Sequence, residues 1–472
     1  VIPAEARATL NIRYNDTWRR PTIEAWVRER AGAFHAAWCL VLLGQALVLL
    51  AADMASFYLG YVLMTLAAYA LVVHARGEEA MRAGRVYLVL ALAGEAMLLS
   101  GVLLLGAAHG NAGFGSLPLL PPVAWAPGLL LAGFAVKLGV VPLHVWLPLA
   151  HPVAPVPASA VLSGLLVKAG LLGVLRFVPG HALPGPEWLL AVGLGTAVYG
   201  AVVGLAHARL KTVLAYSTIS QMGLAVAGLA ALAAGAEGLA IAALGLFALH
   251  HGLNKIALFL AAGHRLGSHL AHLAFLLPAA SLAGLPWSSG ALAKSALKQG
   301  LEAGGLAPWA LGFALSSVLT TVLLLHAWTL ARAARKGRDA PHPAWLLAVC
   351  AGLVLPWAWG LSRGSHGVGF GHVLDATWPL LLGGSLWWLL RRRLGAQRLP
   401  EGDLVVLGEA GATRLAPGLA RLADAWLRWS PPVPGPWPSA ERLARLEIAL
   451  ARLPVAGLCL LALVLGIWWL LA

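Results

Sequence analysis

Apolar runs of roughly helix-crossing length, separated by short polar stretches, repeat along most of the chain. Runs of this kind predict membrane-spanning helices, at about 20 residues per crossing. Thirteen are expected, at 33–50, 55–74, 85–106, 119–147, 157–178, 187–206, 212–234, 238–263, 272–302, 307–331, 343–361, 374–390 and 454–471. The predicted fold class is therefore an all-α polytopic membrane protein. Residues 1–32 are polar, with Arg19, Arg20, Arg28 and Arg30, and lack the apolar core of a signal peptide. They are expected to form a cytoplasmic N-terminal segment.

Two of the runs do not read as ordinary helices. Segment 119–147 holds Lys137 and then Pro142; segment 272–302 holds Pro278 and Pro286 ahead of Lys294. Proline removes a backbone donor and clashes with the preceding turn. Unwound backbone at membrane depth is tolerated only against protein or a hydrated cavity. Two interrupted helices in corresponding places of two five-helix halves predict inverted repeats, at 33–178 and 187–331, followed by C-terminal helices at 343–390. Between 391 and 453 the pattern changes. Residues 404–429 set Leu404, Leu407, Leu415, Leu419, Leu422 and Trp426 among Arg414, Arg421 and Arg428, which predicts an amphipathic helix along the membrane surface. A proline-rich stretch from Pro431 to Pro438 then leads to a terminal helix within 454–472.

Charge orders these elements. With the N-terminus in the cytoplasm, Arg76, Arg82 and Arg85, Arg209 and Lys211, Arg265, Arg332 to Arg338, and Arg391 to Arg393 fall on one side. The opposite loops, such as 107–118 and 234–237, are nearly free of basic residues, as the positive-inside bias requires. A multi-pass protein of the inner (cytoplasmic) membrane is the expectation. Composition agrees: of 472 residues, 60% are hydrophobic and 11% charged, against about 25% charged in soluble domains. The net charge of +14 then belongs to cytoplasmic loops, and no nucleic-acid partner is expected. Cys39, Cys350 and Cys459 lie far apart in apolar runs without ligand spacing. They argue against a disulfide framework, a metal site or an iron–sulfur cluster. No phosphate loop, haem motif or nucleophile–base constellation is visible, so no cofactor is expected and the chain carries no evident redox chemistry of its own.

The lysines change the picture most. The chain has seven, and Lys137, Lys168, Lys255 and Lys294 all sit inside apolar runs, whereas loop charges are mostly arginine. A charge at mid-bilayer costs about 2.5–3.5 kcal/mol on insertion scales. Lysine can shed its proton when buried; arginine effectively cannot. Interior charges kept as lysine point to proton movement.

The stretch Lys137-Leu-Gly-Val-Val-Pro142-Leu-His144-Val-Trp146-Leu-Pro148-Leu-Ala-His151-Pro152 resembles the signature of the antiporter-like, proton-translocating subunits of respiratory complex I. That family also includes large subunits of Mrp-type cation/proton antiporters and membrane-bound hydrogenases. Further matches follow in order: Ala158-Ser159-Ala160 with Ser163-Gly164 and Lys168-Ala-Gly170; Lys211 to Gly223, including Tyr216-Ser217-Thr218-Ile-Ser220-Gln221; His251-Gly-Leu-Asn-Lys255; and Leu282-Ala-Gly284-Leu285-Pro286 with Gly290 and Lys294. The resemblance covers about residues 50–330, and the surface helix resembles the family's lateral helix in a short form. Three departures stand out. The register begins at what resembles the family's fourth helix, so the first half-channel is expected to be truncated, its first three helices lost or supplied by another chain. Val62 stands where the family has a membrane glutamate, the partner of the first lysine. Leu149 replaces an aspartate.

The resemblance implies that Lys137 is a switching group, Lys168 passes protons laterally, His251 and Lys255 with His250 form the second half's relay, and Lys294 is the exit. Against this stands a snorkelling role for Lys137 and a merely interfacial Lys298. Glu95, the acid set deepest in a predicted span, is either a surrogate for the lost glutamate or a carboxylate paired locally or with another subunit. His144 and His151 flank the first break, each as fit for a structural hydrogen bond as for a relay. Ser217, Thr218, Ser220 and Gln221 suit a water wire or interhelical contacts. His264, His269 and His272 read as solvated loop residues. Function then lies between three readings: a proton-translocating subunit of a multi-subunit ion-pumping complex, such as the translocation subunit of an NADH:quinone oxidoreductase-like assembly; the proton-conducting partner of a two-component inorganic-carbon uptake system; or a structural subunit with a degenerate channel. Other membrane subunits are expected as partners, one covering residues 33–106, because Glu95 beside lipid would be costly.

Overall fold

A computed structural model of the protein describes residues 31–394 apart from 122, 334–340 and 363–369. Most of the N-terminal segment 1–32, the surface helix 404–429 and the terminal span 454–471 lie outside the described residues. Within them the chain is helical: α1 (Ala31–Leu50), α2 (Met54–Val72), α3 (Glu78–His109), α4 (Ala126–Leu138), α5 (Trp146–Val153), α6 (Val156–Val161), a π-helical turn at Leu162–Leu166, α7 (Val167–Phe177), α8 (Pro186–Gly204), α9 (Leu210–Ala233), α10 (Glu237–Ala261), α11 (His269–Ala283), α12 (Ser289–Ala303), α13 (Ala310–Ala333), α14 (Pro343–Ser362) and α15 (Phe370–Leu390). Ten helices among the described residues are long and apolar enough to cross a membrane, counting α6 through α7 as one; α4 and α11 are shorter apolar helices. The protein is a multi-pass membrane protein.

The segments read as interrupted are broken by glycine rather than by proline. Helix α4 stops where Gly139 turns left-handed (φ 70°), and the chain runs non-helically past Pro142 before α5 begins at Trp146. The start of this segment is also shorter than expected: Leu117–Leu119 is one 3-10 turn, and α4 begins only at Ala126. Helix α11 carries Pro278 within it and ends at Gly284 (φ 103°), four residues before α12 is capped by Ser288. Glycine reaches the left-handed region without the Cβ clash that other residues meet, which makes it the common helix stop.

Helix α9 is the axis. It is buried along its whole membrane-length window, with α8, α10, α13, α5 and α12 around it. Its contact with α8 is close because Gly193 and Gly223 face each other's backbones, where a Cβ would overlap Ala227 and Ala197. Small residues let helices approach where lipid supplies no hydrophobic driving force. On the far side of α3 and α4, Phe57, Phe114, Phe134 and Phe177 form an edge-to-face cluster. Arg176 lies over Phe114 at 5.2 Å and donates to the carbonyls of Val48, Leu49 and Ala51 at 2.9, 2.7 and 3.0 Å. The last carbonyls of α1, which a helix cannot satisfy internally, are thus closed by a guanidinium more than 120 residues away in sequence.

Candidate functional site

The lysines that sequence reasoning singled out fall, with their neighbours, into two clusters. In the first, Lys137 occupies the last turn of α4, buried, and donates to the Thr65 hydroxyl on α2 at 2.6 Å. Its ammonium lies 4.9 Å from the Tyr61 ring centroid, within cation–π range. Glu95 on α3 shares a small internal cavity with Lys137, Tyr61, Tyr87 and Trp146. Neither Glu95 oxygen has a hydrogen-bond partner of good geometry, although the Thr65 hydroxyl is near enough to influence the carboxyl, which faces the cavity and the lysine across it. Glu95 is 6% exposed within this chain alone. Within this chain α2 and α4 already shield it. Val62 lies on α2 one turn before Thr65, so a hydroxyl borne by the same helix meets the lysine.

The second cluster winds around α9. Lys168 follows the π turn and donates to the Ser163 carbonyl inside it, while Ser163 Oγ and Thr218 Oγ1 are 2.8 Å apart. Lys255 on α10 donates to the Leu214 carbonyl at 2.8 Å and the Ser217 hydroxyl at 2.7 Å, both on α9. Lys168 and Lys255 are electrostatic neighbours; His251 feels both, and His250 feels Lys168 and Lys294. His250 Nδ1 lies 2.9 Å from Ser289 Oγ, itself 3.0 Å from Ser281 Oγ across the second break. This crossing is possible because residue 290 is glycine: a Cβ there would overlap the Ser281 carbonyl. Lys294 donates to the Ala283 carbonyl and the Ser317 hydroxyl, each at 2.9 Å. Beyond it, a cavity of about 100 Å³ leads past Lys298 to Glu302 and Asp375, which are exposed. That is room for several waters.

His144 sits buried in the first break, edge-on to Tyr199 at 5.1 Å and 6.4 Å from Tyr216. His151 stacks on Phe259 at 4.5 Å and feels Lys211, Lys255 and Lys168, which joins it to the second cluster. Gln221 donates to Thr320 at 2.9 Å, tying α9 to α13. Sequence reasoning passed over Thr65, Ser281, Ser289 and Ser317, whose only signal is a hydroxyl on an otherwise apolar face. It also read two of the three histidines His264, His269 and His272 wrongly. His264 stacks on Trp345 at 4.7 Å, and His272 accepts from the Trp328 indole at 3.3 Å; both are half-buried packing residues on or beside α11, and of the three His269 alone is exposed.

A helical bundle that crosses the membrane many times and keeps lysines and histidines buried among its helices defines the class: an antiporter-like membrane subunit. The chain belongs to the family described as NADH:quinone oxidoreductase/Mrp antiporter, TM, whose model matches residues 51–330. It is 38% identical over 239 residues to the uncharacterized protein Rv0083 of Mycobacterium tuberculosis, covering 48% of this chain and 37% of that protein. It is 34% identical over 241 residues to hydrogenase-4 component B of Escherichia coli (47% and 36% covered) and 33% over 313 residues to NADH-quinone oxidoreductase subunit N of Heliobacterium modesticaldum (60% and 65%). The matched stretch thus spans between about a third and two thirds of these relatives. In fold the chain is similar to a chain of the Mrp complex from Dietzia sp. (TM-score 0.67, 22% identity, covering 90% of this chain and 51% of that one). A chain of a membrane-bound sulfane sulfur reductase, an archaeal respiratory complex, is also similar (TM-score 0.60, 22% identity, 75% and 77% covered).

Proposed function

We propose that this chain is the proton-translocating subunit of a multi-subunit, ion-coupled complex in the cytoplasmic membrane. Protons pass along Lys168, His251, Lys255, His250 and Lys294, and Lys137 with Glu95 forms the switching pair of the first half. The observation that carries this reading is the row of lysines and histidines held by named partners, Lys255 on Ser217 and Leu214, His250 on Ser289 and Lys294 on Ser317, around a helix buried along its whole membrane-length window. Buried charges that do nothing cost stability and have no reason to be spaced as neighbours. His144, in the break beside Lys137, serves as a relay between the halves. The cavity beyond Lys294 supplies the exit, its mouth at Glu302 and Asp375.

The two halves, 33–178 and 187–331, act as inverted repeats with one broken helix each, and the N-terminus is cytoplasmic. The ion pair between Arg209 and Glu79 (3.5 Å) supports the orientation, since it keeps two basic loops on one face. A neighbouring subunit packs along residues 33–106, where Leu40, Leu43, Leu47, Leu59 and Val89 point outward.

The test is proton flux in proteoliposomes holding the assembly that copurifies with this chain, driven by an imposed potential or sodium gradient. Lys168→Ala and Lys255→Ala should each lower flux below a tenth of wild type with assembly intact. The arginine variants should fail as well, because a fixed cation cannot release its proton. Wild-type flux in all four would make the chain a scaffold.

A further inference from the structure

Three of the buried lysines share one local arrangement. Lys137, Lys255 and Lys294 each donate to a side-chain hydroxyl carried by a different helix: Thr65 on α2 at 2.6 Å, Ser217 on α9 at 2.7 Å, and Ser317 on α13 at 2.9 Å. Two of these hydroxyls also donate to the carbonyl one turn back, Thr65 to Tyr61 at 2.7 Å and Ser317 to Phe313 at 3.1 Å. Their lone pairs are thus presented to the lysine. Lys255 and Lys294 each have, in addition, one backbone carbonyl, of Leu214 and Ala283. Lys137 has the Glu95 carboxylate across its cavity instead.

A carbonyl or carboxylate only accepts, whereas a hydroxyl carries one donor and two acceptor sites. An ammonium group has three N–H donors and no acceptor; the neutral amine has two N–H donors and one lone pair. When a lysine passes its proton on, an acceptor-only partner leaves that lone pair unsatisfied in a buried site. A hydroxyl can turn about its C–O bond, move its own hydrogen from the backbone carbonyl to the nitrogen, and satisfy it. No covalent bond of the hydroxyl breaks, and the carbonyl it leaves keeps its helical N–H partner.

We infer that Thr65, Ser217 and Ser317 are positioning residues that reverse the direction of their hydrogen bond as the facing lysine loses and regains its proton. Each lysine then has one fixed partner and one reversible partner. The inference rests on the proton-translocating reading and adds to it the groups that make both protonation states of the lysines tolerable. With Val62 apolar, the hydroxyl one turn away on the same helix holds the lysine without locking it in the charged state.

The experiment compares wild type, Thr65→Val, Thr65→Ser and Lys137→Ala in the proteoliposome flux assay, with assembly followed by native gel. Valine keeps the shape of threonine and removes the hydroxyl; serine keeps the hydroxyl and removes a methyl. Because a hydrogen bond to a charged group is among the stronger ones, flux should fall about tenfold or more in Thr65→Val and stay within about twofold of wild type in Thr65→Ser. Equal losses in both would make Thr65 a packing residue and overturn the inference. So would normal flux in Thr65→Val while Lys137→Ala is inactive, an outcome that leaves the proton-translocating reading standing. Normal flux in Lys137→Ala would remove the role of this lysine itself. Should Thr65→Val fail to assemble, Ser317→Ala against Ser317→Thr decides by the same criterion, since that change deletes a single oxygen.

Discussion

Replacing Glu95 by glutamine tests the first cluster with the least disturbance of shape. In the wild type Lys137 has three stabilising neighbours: the Thr65 hydroxyl at 2.6 Å, the Tyr61 ring at 4.9 Å and the Glu95 anion across the cavity. Removing one member of a buried ion pair typically costs about 3–5 kcal/mol, because the remaining charge is uncompensated. Here the hydroxyl remains, worth about 1.5–3 kcal/mol to a charged donor, and the ring adds up to about 2 kcal/mol when desolvated. Glu95 also faces the lysine across a cavity rather than in contact, so the penalty for Glu95→Gln should fall below that range, at about 2–3 kcal/mol. At about 1.4 kcal/mol per decade, that is a flux reduction of roughly 30- to 150-fold if charged Lys137 forms in the rate-limiting step. The assay is proton flux for wild type, Glu95→Gln, Lys137→Ala and the double variant. The two single changes should be similarly damaging and clearly non-additive, with a coupling of at least about 1 kcal/mol. Flux within twofold of wild type in Glu95→Gln, alongside an inactive Lys137→Ala, would refute Glu95 as the lysine's counter-charge.

Arg176→Ala should lower the stability of the assembly in detergent by about 2–4 kcal/mol, since it leaves the last carbonyls of α1 without their charged donor; Arg176→Lys should recover only part of this, lacking the planar fork. Thermal unfolding followed through a cysteine placed in α1 reads the loss directly, and a shift equivalent to under about 0.5 kcal/mol would contradict it. Single cysteines introduced at Arg76 and Arg265 should label from the cytoplasmic side in intact cells' inverted membranes but not in right-side-out vesicles; labelling from opposite faces would overturn the orientation.

The long helices were legible because a crossing needs a long apolar run, but their bounds were not: α3 runs Glu78–His109 where 85–106 was expected, and α4 begins only at Ala126. The motif around Lys137, the buried lysines and the depth of Glu95 were equally plain, because a charge in an apolar run is conspicuous. What stopped the broken helices was less so. Prolines 142, 278 and 286 drew attention, yet Gly139 and Gly284 end the helices and Pro278 ends nothing, since a left-handed stop depends on backbone geometry that many glycines share. The partners of the lysines were hidden for a different reason. Thr65 is 72 residues from Lys137 and Ser317 is 23 from Lys294; a single hydroxyl on a helix gives no hint of which distant helix it will face. The π turn before Lys168 was not anticipated either, although its Ser163–Gly164 pair is of the kind that interrupts a helix. His264 and His272 misled because a loop rich in histidine looks hydrated until tryptophans from α13 and α14 close over it.

Helix α9 has no outward side within its membrane window. A segment enclosed on every side is closed to novelty: a larger residue has nowhere to expand, and a new charge has no solvent to reach. Variation in how quickly protons move, whether by selection or by design, must then enter through the surrounding helices, which can change one face while keeping the other. Lys255 on α10, Lys294 on α12 and Ser317 on α13 sit on such helices. Tuning this protein means altering the wall and leaving the axis as it is.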